Sequence, residues 1–150
     1  RENLSIPVVG PGAVALAAAD MLSNRFTVVT TVERNVSRTL RRLKQNPVCR
    51  EKMANVRALN IPVAELRDDP KATMRYLNKL CQTAVEEDRA DTLVLGCLGM
   101  AEYGDALEQE FGVKVIDPAF LALAWAEMAA RLNLRPSRRS YGSVSTQEEV

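Results

Sequence analysis

A thiol set between two glycines carries the clearest chemical potential in this chain. Gly96-Cys97-Leu98-Gly99 follows directly on the apolar, β-type run Thr92-Leu93-Val94-Leu95. A strand that ends in this way presents its thiol at the carboxyl end, just before a turn, where open α/β sheets hold their ligands. The glycines let backbone approach a ligand closely and leave the N–H groups of Leu98 and Gly99 to face an anion. Donors so placed lower a thiol's pKa from its usual value of about 8.5. The plainer alternative is a buried cysteine that merely closes a strand, since free Cys is among the most buried residue types. Spacing alone leaves both open.

Thr30 and Thr31 close an earlier run, Phe26 to Thr31. Their hydroxyls either bond a small polar ligand or cap the next helix. Gly10-Pro11-Gly12 reads as a strand-to-helix turn, with Pro11 suited to the first helical position. Cys49 and Cys81 make no CxxC pair and no metal-ligand cluster with Cys97. Cys81 shares helical spacing with Met74, Leu77, Ala84 and Val85, which assigns it to the core. Cys49 stands near the start of an expected helix, where a thiol's pKa falls slightly, and is read as incidental. The chain has no histidine. This removes Ser-His-Asp and Cys-His catalysis and the commonest zinc ligand. Acid–base work falls to thiols, carboxylates, Lys or Tyr. A cysteine phosphatase would need Arg six residues after its nucleophile, where this chain has Tyr103.

The elements that position these residues alternate. Strands are predicted at 6–9, 26–31, 61–66, 90–97 and 113–116, and helices at 13–22, 35–45, 49–59, 70–88, 103–111 and 119–132. Such alternation predicts an α/β fold, a parallel sheet with helices on both faces. No repeat or linker divides residues 1–134, and residues 135–150 read as an extended C-terminal arm. Neither a GxGxxG fingerprint nor a P-loop is present. With 20 basic and 19 acidic residues and 5% aromatics, the chain offers nucleic acid neither surplus charge nor stacking platforms. No apolar run reaches the roughly 18 residues that span a membrane. Three cysteines without small-scaffold spacing point to a reducing, cytoplasmic setting. The chain opens on Arg1 and runs almost straight into a strand, so the beginning of the native chain is expected to be missing. Residues 119–132 are apolar nearly all round. A helix like that is expected to be buried on more than one side, against another half of the fold or another subunit of a homo-oligomer.

Four segments in order, Pro7-Val8-Val9-Gly10, Arg25-Phe26-Thr27-Val28-Val29-Thr30-Thr31, Val94-Leu95-Gly96-Cys97-Leu98-Gly99-Met100 and Val115-Ile116-Asp117-Pro118, resemble the hydantoin racemase branch of the aspartate/glutamate racemase superfamily. The resemblance runs over most of residues 4–142, and Arg135-Pro-Ser-Arg-Arg-Ser-Tyr141 is similar to that branch's C-terminal arm. It implies a two-lobed α/β fold with a small-molecule site in the cleft and one cysteine from each half, without metal or organic cofactor. One thiolate takes the proton beside the substrate carbonyl, and the other thiol returns a proton to the opposite face. By resemblance Cys97 is the second of these cysteines, Thr30 and Thr31 bind substrate, and the backbone of Leu98 and Gly99 helps hold a carbonyl oxygen. The family's first cysteine lies upstream of the region this chain matches, and Cys49 and Cys81 match no catalytic position. Glutamate racemases typically carry Cys-Thr-His where this chain has Cys97-Leu98-Gly99, which fits a hydantoin ring better than a free amino acid. Competing readings are an amino-acid racemase, a single-thiol arylmalonate decarboxylase or maleate isomerase, and a non-catalytic binding or assembly domain.

Overall fold

The computed structural model describes residues 4–45, 47–137 and 139–140. Four parallel strands form one sheet in the order β2-β1-β3-β4. They are β1 (Phe26–Thr30), β2 (Met53–Ala58), β3 (Thr92–Leu95) and β4 (Lys114–Ile116). The helices are α1 (Pro11–Leu22), α2 (Glu33–Lys44), α3 (Pro47–Lys52), α4 (Pro70–Glu86), α5 (Gly104–Phe111) and α6 (Pro118–Arg131).

Both central strands are buried along their whole length. Period-two alternation sends their side chains to two cores. Phe26, Val28 and Val94 join Ala15, Ala19 and Leu43 of α1 and α2 on one face. Val29, Leu93 and Leu95 join Leu77, Cys81 and Leu107 of α4 and α5 on the other. The expected parallel sheet with helices on both faces is therefore present. Helix ends follow local chemistry. Asp69 accepts from the N–H of Ala72 and Asp117 from that of Ala119, each with Pro at the first helical position. Gly112 closes α5 at φ 62°, a left-handed conformation that favours glycine.

Three sequence expectations fail, each for a local reason. Residues 53–58, assigned to a helix, are the edge strand β2, whose Asn55 and Arg57 bind a buried carboxylate while Val56 faces the core. Residues 61–66 are a loop with one short turn (Val63–Glu65). Pro62 has no N–H to give a ladder, and the N–H of Ile61 goes to the carbonyl of Thr31. Ile6 to Val9 forms no strand among the described residues, and Ile6 and Val8 are exposed.

That last segment resembles one later in the chain. Val8-Val9-Gly10-Pro11 matches Val115-Ile116-Asp117-Pro118, and each leads into an alanine-rich helix begun by its proline. The two helices, α1 and α6, pack against each other. Among the described residues only the second segment pairs with a strand. Within this chain α6 leaves Phe120 and Leu123 62% and 60% exposed. Residues 138 and 141–150 of the expected arm lie outside the described residues. No helix among the described residues is long and apolar enough to cross a membrane.

Candidate active site

The chain order creates a switch point. From β1 the chain moves to β2 on one side, returns through α4 to β3, and continues to β4 on the other side. Outside the carboxyl ends of β1 and β3, the connections part and leave a crevice where such sheets bind ligands. Thr30 ends β1, and Gly96 and Cys97 follow β3. Val29 pairs with Leu95, and the N–H of Gly96 donates to the carbonyl of Val29 at 2.7 Å. Thr30 and Thr31 on one strand, and Gly96 and Cys97 on the other, follow directly on that last pair.

Cys97 is extended, at φ −143° and ψ 133°, and half-buried. Its side chain packs at the rim of the α4/α5 core with Ile61 and Tyr103. A tight turn (Leu98–Met100) follows, closed by N–H bonds from Met100 to the carbonyl of Cys97 and from Ala101 to that of Leu98. Among the described residues no hydrogen bond occupies the N–H groups of Leu98 and Gly99. A Cβ on Gly99 would lie 3.0 Å from Leu66 Cδ1, 3.3 Å from Val63 Cγ1 and 3.6 Å from Cys97 Sγ. The thiol, the bare backbone of Gly99 and the 61–66 loop thus share one small space. The Tyr103 hydroxyl donates to the carbonyl of Leu66 at 3.2 Å and ties that loop to the turn.

Thr30 and Thr31 are both buried. Neither caps α2, whose N-cap is Val32. Their carbonyls accept from the N–H groups of Leu59 and Ile61. Thr30 is the last residue of β1 and Thr31 follows it, turning toward α2. Thr31 Oγ1 accepts from Asn35 Nδ2 at 3.4 Å. The 61–66 loop was missed as part of the site because its apolar residues were read as a strand. Pro62, which demotes that strand toward an edge or an early strand position, was the available signal.

The other two thiols lie elsewhere. Cys81 is fully buried in the core, and burial pushes its thiol up to about 12. Cys49 is buried beside α1. Burial and the nearby Asp20 raise its pKa, opposite to the slight fall expected at a helix start. Alkylation needs both thiolate and access. Brief iodoacetamide treatment followed by peptide mapping should therefore find Cys97 modified first. Equal labelling of Cys81 would contradict the core assignment.

Gly96 is fixed by space. A Cβ there would stand 2.9 Å from the carbonyl oxygen of Val29, which is backbone and cannot turn aside. Gly96→Ala should cost about 1–3 kcal/mol, the usual range for overpacking. Thermal unfolding should show a drop of several degrees, and an unchanged midpoint would contradict the close approach.

The Asp/Glu/Hydantoin racemase family model matches residues 1–126. The chain is 36% identical over 138 residues to a hydantoin racemase of Pseudomonas sp. (strain NS671), covering 92% of this chain and 55% of that protein. It is 37% identical over 127 residues to a hydantoin racemase of Rhizobium meliloti, covering 85% and 52%. The crystal structure of an allantoin racemase from Pseudomonas fluorescens superposes with a TM-score of 0.88 at 35% identity, over 99% of this chain and 63% of that one. The chain spans about half the length of the curated relatives it matches. With the family model covering most of the chain and the fold matching, this protein belongs to the Asp/Glu/hydantoin racemase family.

Proposed function

We propose that this protein is part of a cofactor-independent racemase that acts beside a carbonyl, on 5-substituted hydantoins, with Cys97 as one of two proton-transferring thiols. The observation that carries the reading is the meeting of Cys97 with the ends of β1 and β3 at the sheet's switch point. Racemisation in both directions needs a base on one face of the carbon and an acid on the other. Thiols ionise closer to neutrality than carboxylates or lysines, so either state is accessible. In one direction a thiolate takes the C5 proton, the electron pair moves onto the C4 carbonyl oxygen as an enolate, and the facing thiol returns a proton to C5. The N–H groups of Leu98 and Gly99 suit the enolate oxygen, and donors fixed in advance stabilise such charge strongly. Thr30 and Thr31, at the end of the neighbouring strand, are assigned to substrate binding.

Cys49 and Cys81 are buried in two different cores, so the second base is assigned to residues outside these 150. The exposed apolar side of α6 is where we place the contact to the family's other half or to a second copy in a homo-oligomer. The three cysteines are unpaired, in keeping with the reducing cytoplasm.

Polarimetry on the full-length protein tests the reading. Enantiopure 5-substituted hydantoin should lose its rotation, while free glutamate keeps its own and an arylmalonate releases no carbon dioxide. Stable rotation of every hydantoin tried would reject it.

A further inference from the structure

Behind the Cys97 turn lies a cavity of about 270 Å³ that the scheme above does not use. Its floor is apolar, built from Ala15, Leu16, Val28, Leu43 and Val94. Gly96 and Leu98, the residues on either side of Cys97, also line it. Its polar side chains are Thr39 and Arg42 of α2. The start of α1 (Pro11 and Gly12) completes the rim, and a Cβ on Gly12 would sit 3.7 Å from the guanidinium nitrogens of Arg42.

The electrostatics of this cavity are one-sided. Arg42 places a full positive charge against the positive end of a twelve-residue helix, where a cation is unfavourable and an anion is favoured. Among the described residues no carboxylate lines the cavity. A guanidinium also presents a planar fork of donors that matches a carboxylate. The size is informative too, since pockets for whole ligands run from roughly 300 to 1,000 Å³. A volume just below that range has ample room for the side arm of a ligand whose reacting ring lies elsewhere.

We infer that this cavity is a side-arm subsite adjoining Cys97, shaped for a short apolar stem with a carboxylate at its end, and that Arg42 is its specificity-determining residue. The inference rests on the racemase reading, which it narrows to hydantoins with an acidic 5-substituent. Arg42 binds the arm and takes no part in proton transfer.

The test separates the two readings. Calorimetry on the full-length Cys97→Ser variant measures binding without turnover. 5-(2-Carboxyethyl)hydantoin should bind at least about tenfold tighter than 5-propylhydantoin, a difference of about 1.4 kcal/mol. Adding Arg42→Gln should erase that preference, while Arg41→Gln, on the same helix but outside the cavity, should leave it. Equal affinity for the two compounds, or a preference that survives Arg42→Gln, overturns the subsite. In the enzyme with Cys97 intact, Arg42→Gln should raise KM for the carboxyethyl compound with kcat nearly unchanged. A carboxylate preference in calorimetry without racemisation of either compound keeps the subsite and rejects the racemase reading. Racemisation without the preference does the reverse.

Discussion

Cys97→Ser in the full-length protein should lower racemisation of a 5-substituted hydantoin by at least ~100-fold, the lower end of a general acid–base contribution. The substitution keeps the shape of the side chain and its ability to hydrogen-bond. What it removes is acidity, because a serine hydroxyl does not ionise near neutrality as a thiol does. Folding should be spared, since Cys97 lies at the rim of its core and is half-buried. Loss of rate with an unchanged unfolding midpoint would therefore report chemistry. A parallel Cys81→Ser variant should show the opposite pattern. It places a hydroxyl in the core of α4, where an unpaired polar group costs about 1–3 kcal/mol, and leaves the site's own groups in place.

The largest stability effect is expected at Asp88, at the end of the sheet remote from the site. Its carboxylate accepts from Thr27 Oγ1 at 3.0 Å, from Asn55 Nδ2 at 3.0 Å, and from Arg57 Nε and one terminal nitrogen, each at 2.7 Å. Burial alone would raise its pKa, but the hydrogen bonds from Arg57, Asn55 and Thr27 and the charge of Arg57 together hold it below the ordinary value. One side chain thus joins β1, β2 and the end of α4. Asp88→Ala leaves the Arg57 charge and two polar groups without their partner and should cost roughly 2–4 kcal/mol. The pH dependence has a definite sign. A carboxyl whose pKa is depressed on folding contributes its stability above the unfolded value, about 3.9, and loses it as pH falls through the folded value. Urea unfolding at pH 7 should show the full gap between wild type and Asp88→Ala, and the gap should narrow below about pH 4. A gap under 1 kcal/mol at pH 7, or one constant down to pH 2.5, would contradict the network.

These two residues also show what the sequence made legible. The Cys97 turn was readable because its strand is wholly apolar and both flanking positions are glycine. Asp117-Pro118 announced α6 for equally local reasons. Asp88 was not readable, because its partners lie 31 to 61 residues away in sequence and meet only through strand pairing. The same pairing hid β2. Its Asn55 and Arg57 look helical or solvated until a buried carboxylate is placed between them. Nothing local marks Arg42 off from Arg38 or Arg41 on α2. Only the packing of α1, with a glycine at its second position, brings that guanidinium over a cavity. Ile6 to Val9 has the composition of a strand, but a strand needs a neighbour, and among the described residues it has none.

Deuterium exchange on Cys97→Ser tests the central claim most directly. Each enantiomer of a 5-substituted hydantoin is incubated separately with the full-length variant in deuterium oxide, and loss of the C5 proton is followed by proton NMR. With Cys97 as one of two facing thiols, one enantiomer should still exchange, because the remaining base can reach its proton. The other should keep its proton, and neither should invert. Exchange and inversion of both enantiomers at the wild-type rate would remove Cys97 from the chemistry.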